Sequence, residues 1–265
     1  MSLIDPFHTI HATSIRERAK SSDYAAQALE AIVRLHQATD PPALLDRLMN
    51  ATVAIGATAS VYTVAIPEDG PEPSCFSLFA CHPGFAQEQG DHEPLLNHPW
   101  FRFARTHTTP GTDHQITPKH DADFAALSLA RKYGFKSCLI VPTPAGADLD
   151  RLEMLCLGSD REDDFEGSEA RVVRTLARSL AAELHDWLTR YLRQRLQAAA
   201  RLQEKDVDLL AMEWQGLGSK EISLRTGLSV TSVDSRFQRI NARLNCASRK
   251  ASAKRAAAYG LLESA

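Results

Sequence analysis

A chain of 265 residues is long for one domain and comfortable for two. With 44% hydrophobic and 24% charged residues it has the composition of a soluble globular protein, and no apolar run reaches membrane-spanning length. The formal net charge of −3 divides unevenly. Residues 199–265 carry 11 Lys+Arg against 7 Asp+Glu, and the preceding chain carries 19 against 26. A basic tail on an acidic body fits a nucleic-acid reader attached to a sensory or assembly domain. The five cysteines, Cys75, Cys81, Cys138, Cys156 and Cys246, show no metal-type spacing, and the start MSLIDPFHTIHATS has no signal-peptide core, so the expected compartment is the cytoplasm.

In chain order, residues 1–22 read as an arm. Ala25, Ala28, Leu29, Ile32, Val33 and Leu35 give an amphipathic helix over 24–39, which Asp40-Pro41-Pro42 breaks before a second helix over 44–55. Residues 59–66 and 75–81 read as strands joined by the turn-rich PEDGPEPS. Helices are expected over 95–104 and 121–133, and a hairpin pair over 136–142 and 152–157. A long Ala- and Leu-rich helix covers 169–192, with Ser168 positioned to cap it. This order predicts an α/β layered domain with a mostly antiparallel sheet.

The C-terminal sixty residues carry the most information. Val207, Leu210, Ala211 and Trp214 recur at helical spacing, and Gly216 follows where a left-handed C-cap is cheap. Ser219 is positioned to cap a very short helix, 220–226, closed by Gly227. Ser229 is positioned to cap a third, in which Val233, Phe237, Ile240 and Leu244 form one apolar stripe. Two short helices across a glycine-containing turn form a helix-turn-helix pattern, whose second helix enters the DNA major groove. On its polar face stand Thr231, Ser232, Ser235, Arg236, Arg239 and Arg243, with Lys220 at the start of the preceding helix. Short hydroxyls can approach base edges, and cationic side chains can bind guanine edges or phosphates.

The segment resembles the C-terminal DNA-binding domain of LuxR-type regulators. The resemblance rests on Asp206, Gly216, Glu221-Ile222, Gly227-Leu228-Ser229 and Ser232-Val233. Asp234 departs from that pattern, where a basic or neutral residue is usual; a carboxylate there repels phosphate or accepts from cytosine N4. The preceding part is similar to the signal-binding domain of the same regulators. The resemblance implies an α+β sandwich, a five-stranded antiparallel sheet with helices on both faces, followed by an all-α four-helix helix-turn-helix domain. The expected division is an arm at 1–22, a sensory and dimerisation domain at 23–185, a linker at 186–200 and the DNA-binding domain at 201–265.

In that family an acyl-homoserine lactone lies between sheet and helices. Pro99 and Gly134 match family positions, and counting back from Pro99 places the family's pocket Asp on His98, its Tyr on Gln89 and its Trp on Phe85. Tyr62 and Trp100 complete the candidate pocket. The substitutions matter because the aspartate accepts the ligand amide, and a buried donor left unpaired costs roughly 1–3 kcal/mol. Three alternatives therefore stand for this domain: no lactone and control by constitutive dimerisation, a lactone in a rebuilt pocket, or a different small molecule.

No G-x-S-x-G elbow, P-loop or G-x-G-x-x-G is present, and the ten histidines form no metal-type pair, so an enzyme or a metalloprotein is disfavoured. No cofactor is expected. The expected partners are double-stranded DNA, a second copy of the chain in a homodimer, and a small-molecule signal if any, with no membrane. Ala251, Ala256 and Ala257, or the long helix over 169–192, are the candidate dimer seams. The function read from the sequence is a dimeric transcriptional regulator of quorum-sensing-linked genes acting on a roughly palindromic operator. The rival is an interaction protein that sequesters related regulators.

Overall fold

The computed structural model describes residues 14–68, 73–92, 95–144 and 151–262. Most of the expected N-terminal arm, residues 1–13, and the hairpin loop 145–150 lie outside them. The chain divides into two compact units. The first comprises residues 1–65, 75–145 and 152–187, and the second comprises 66–74, 146–151 and 188–265.

The first unit is an α+β sandwich. After a single turn, α1 (Ile15–Arg18), come α2 (Tyr24–Val33) and α3 (Pro41–Ile55). A 3-10 turn over Arg34–Gln37 ends the helix that the sequence pattern extends to residue 39. The Asp-Pro-Pro triplet, expected as a breaker, instead starts α3. The Asp40 carboxylate accepts from the Ala43 N–H at 2.9 Å, and Pro41 occupies the first helical turn, where its missing donor is not needed.

Five strands follow, β1 (Ala59–Ile66), β2 (Ser74–Ala80), β3 (Gly111–Thr112), β4 (Ser137–Pro144) and β5 (Leu152–Ser159). They form one antiparallel sheet in the order β2-β1-β5-β4-β3, with Tyr62 opposite Leu155 and Ile140 opposite Cys156. Between strands stand α4 (Pro83–His92), α5 (Pro99–Thr106) and α6 (Asp121–Lys132). Because side chains alternate along a strand, the two faces of β1 bury different sets. Val61 and Ala65 join Met154, Cys156 and Ile140 under Phe85 of α4, Trp100 and Phe103 of α5, and Ala130 of α6. On the other face the Ser60 and Thr52 hydroxyls share a hydrogen bond of 2.6 Å, which seats α3 on β1. Tyr62 donates to Glu153 at 2.6 Å, and Glu153 meets His185 at 3.0 Å.

His185 belongs to α7 (Ala170–Ala199). Residues 186–199, expected as a linker, are helical and continue α7 without a break; the segment QRLQAAA contains no Gly or Pro to stop it.

The second unit holds α8 (Glu204–Trp214), α9 (Ser219–Thr226), α10 (Val230–Leu244) and α11 (Arg249–Ala258). Their core joins Leu209, Leu210, Ile222, Val233, Phe237 and Ile240 with Ala253, Ala256 and Ala257. Ala256 and Ala257 are thus buried within their own chain, which removes them as a dimer seam. No helix among the described residues is long and apolar enough to cross a membrane.

Candidate nucleic-acid interface and ligand pocket

The second unit presents its short helices through three local devices. Gly216 and Gly227 adopt positive φ, 83° and 71°, and reverse the chain after α8 and α9. Ser229 caps α10 by accepting from the Ser232 N–H at 3.2 Å. The cap of α9, however, is Gly218 rather than Ser219: the Gly218 N–H donates to Glu221 at 2.7 Å. Ser219 is released for another task. Its hydroxyl donates to Asp234 of α10 at 2.7 Å and accepts from Arg249 of α11 at 2.7 Å. Arg249 also pairs with Glu213 of α8 at 2.9 Å. One polar chain therefore touches all four helices, and Asp234, anomalous in the sequence, serves as its terminus.

With Val233, Phe237, Ile240 and Leu244 buried, α10 turns the opposite face outward. Thr231, Ser232, Ser235 and Arg239 are exposed, Arg236 is half-buried, and Lys220 stands exposed at the start of α9. Arg243 behaves differently. Its guanidinium pairs with Asp206 at 3.1 Å and donates to the Arg201 carbonyl at 3.3 Å. Asp206 also accepts from the Gln203 N–H, closing the first turn of α8. Arg243 is exposed like the outward set, but its guanidinium is engaged in holding α10 to α8.

In the first unit Phe85, Gln89, His98 and Trp100 are all brought to the same face of the sheet and buried. Ring centroids lie 4.3 Å apart for His98 and Trp100, 4.9 Å for Trp100 and Phe135, and 5.3 Å for Phe85 and Phe135. Phe135, not singled out from the sequence, bridges Phe85 and Trp100 in this layer. It is held there by Gly134 at φ 98° and by Gly158, whose added Cβ would stand 2.3 Å from the Phe135 ring. Tyr62 is not part of the group; β1 register puts it on the opposite face, donating to Glu153.

His98 caps α5, its Nδ1 accepting from the Trp100 N–H at 3.3 Å. That bond requires an unprotonated Nδ1. Burial, the main cause, pushes the imidazole pKa down to about 3, and the nearby Arg102 charge acts in the same direction. His98 is therefore a neutral residue at physiological pH. Arg102 itself is clamped by Asp123 of α6 at 2.8 and 2.5 Å, and that hydrogen-bonded pair holds the Asp123 carboxyl well below the usual carboxylate range. The indole N–H of Trp100 is buried without a hydrogen-bond partner. A donor left unpaired this way is unusual in a packed interior.

The buried thiols Cys81 and Cys156 offer little reactivity. Burial pushes Cys81 up to about 12 and raises Cys156 well above its ordinary value. Among the described residues no group of three His, Cys, Asp or Glu side chains could hold a metal ion.

No protein-family description matches the sequence, and no curated protein matches it. Solved structures do match. Escherichia coli SdiA superposes with a TM-score of 0.64 at 14% identity, covering 90% of this chain and 99% of that one. SdiA in complex with octanoyl-rac-glycerol gives 0.64 at 13%, covering 93% and 100%. CepR2 of Burkholderia cenocepacia, described as an N-acylhomoserine lactone dependent LuxR family transcription factor, gives 0.53 at 16%, covering 63% and 96%. Two units, an antiparallel sandwich and a four-helix domain, thus share the fold of LuxR-type regulators.

Proposed function

We propose that the chain is a cytoplasmic, dimeric transcriptional regulator of quorum-sensing-linked genes that reads double-stranded DNA with α10. The observation that carries this reading is the sorting of α10. Its apolar stripe is buried while Thr231, Ser232, Ser235 and Arg239 are left exposed beside Lys220. Hydroxyls near the start of a helix and cations further along it are what base and phosphate contacts require. Two copies would present two such helices to half-sites about one DNA turn apart. The fold shared over 63% of the chain with a protein described as a LuxR family transcription factor supports the reading. The test is a gel-shift titration against a selected palindromic operator. Arg239→Ala and Arg236→Ala should each weaken specific binding by about 1–3 kcal/mol where they contact a base. Unchanged affinity in both variants removes α10 as the reading helix.

A second observation favours a receptor role for the first unit. The unpaired Trp100 N–H lies beside a neutral His98 in an aromatic layer, an arrangement suited to a neutral ligand with a carbonyl acceptor. Lactones and acylglycerols both have that chemistry, and related folds are described with each. The full-length protein should melt higher with a bound ligand, by about 2.7 kcal/mol of stabilisation at 100 times its dissociation constant. No shift with either class, in a protein that still binds its operator, leaves a regulator controlled by its abundance.

A further inference from the structure

The first unit carries a concave site away from the aromatic layer. A cavity of about 630 Å³ opens between the segment around β3 and the start of α7, lined by Thr112, His114, Glu166, Arg171, Arg174 and Arg178. The three arginines stand at i, i+3 and i+7 on α7, which places them on one side of the helix within about 10 Å of axis. Such a row on a solvated helix normally finds acidic partners along the same face. Here the neighbouring carboxylates are already committed. Asp163 accepts from His114 at 2.7 Å, Glu166 accepts the Thr112 hydroxyl, and Glu169 accepts from Ser168 at 3.0 Å. Among the described residues none of the three guanidiniums has a carboxylate partner, and the buried Nε of Arg174 makes no hydrogen bond at all. A buried guanidinium N–H without an acceptor is costly unless something else supplies one.

The charge of the lining sets the ligand. Three arginines against Glu166 leave a surplus of two positive charges. Arg171 sits in the first turn of a 30-residue helix, where the backbone N–H groups add further positive potential. Guanidiniums bind tetrahedral oxyanions through paired N–H donors. We propose that this cavity binds the dianionic phosphate group of a small molecule, with Arg174 and Arg178 as its principal donors.

The full-length protein tests this directly by thermal melting at constant ionic strength, titrated with inorganic phosphate and, separately, with glycerol 3-phosphate. Wild type should show a saturable rise in Tm with one or both probes. Arg174→Ala and Arg178→Gln should each raise the apparent Kd at least tenfold, while Arg34→Gln, an exposed arginine outside both proposed sites, should leave it unchanged. The two arginine variants guard against a folding defect, because Arg178 is exposed and its glutamine keeps most of the stem. A tighter response to glycerol 3-phosphate would identify an ester as the ligand, and equal responses a free anion. No saturable shift, one retained in both α7 variants, or an equal loss in Arg34→Gln overturns the proposal.

Discussion

The α10 face and the aromatic layer of the sandwich are both candidate binding regions, yet they are built in opposite ways. On α10 the side chains that hold the fold point inward and those available for binding point outward. Val233 and Phe237 never compete with Ser235 or Arg239 for the same space. In the sandwich Phe85, His98 and Trp100 are all buried, so any ligand contact there uses the same atoms that fill the core. A helical period separates fold from function in the first region. Nothing in a sequence pattern separates them in the second.

The contrast can be broken by substitution, starting with the largest expected effect. Phe237→Ala removes a buried ring from the four-helix core, one that also faces the Arg249 guanidinium at 5.6 Å. It should cost about 3–5 kcal/mol in denaturant unfolding of the second unit and abolish operator binding with it. A small loss would mean that the core tolerates collapse and that its exposed face is not rigidly held.

His98 provides the corresponding test in the sandwich. Its folded pKa, about 3, lies below the 6.5 of an unperturbed histidine, so between those values the unfolded chain binds a proton that the folded chain refuses. Stability is therefore full above the unfolded value and falls as pH drops from there towards 3. The loss should reach about 2 kcal/mol near pH 5, from ~1.4 kcal/mol per pH unit below 6.5. In His98→Asn, which keeps a capping side chain, that slope should flatten, as urea midpoints at several pH values would show. An unchanged slope would mean His98 is hydrated and the layer is open.

Smaller effects refine the division on α10. Ser229→Ala should cost about 1 kcal/mol through loss of the N-cap, without altering operator preference once binding is corrected for stability. Arg243→Ala should cost about 0.2–1 kcal/mol in stability because its pair with Asp206 is partly solvated, and it should weaken DNA binding less than Arg239→Ala does. The reverse ranking in a gel shift would move the reading surface towards the end of α10.

Legibility followed the same division. The stripe of α10, its Ser229 cap and the glycine turns were readable because each rests on a short-range rule. β1 was readable as a strand from its apolar content, but all eight of its residues are buried. With no polar alternation, the face taken by Tyr62 depends on pairing with β5, which no local pattern encodes. Helix α4 carries no legible helical stripe because few of its residues are apolar. β3 was unreadable because two residues, Gly111–Thr112, carry no period at all. Arg243 shares the spacing of the outward cations, and only the position of Asp206 on α8 shows that its guanidinium is already paired. At 13–16% identity to the structures that share the fold, the hydrophobic pattern has been kept where the individual residues have not.

Asp234 has a consequence under the proposed function that concerns rates rather than contacts. Its carboxylate fixes α10 to Ser219, yet it is an exposed negative charge on the helix presented to DNA. Repulsion from the phosphate backbone is felt on every sequence, whereas a matching base can offset it only at the right site. The protein would then leave random DNA sooner and spend less of its search time there. The same residue that steadies the reading helix would make it harder to detain in the wrong place.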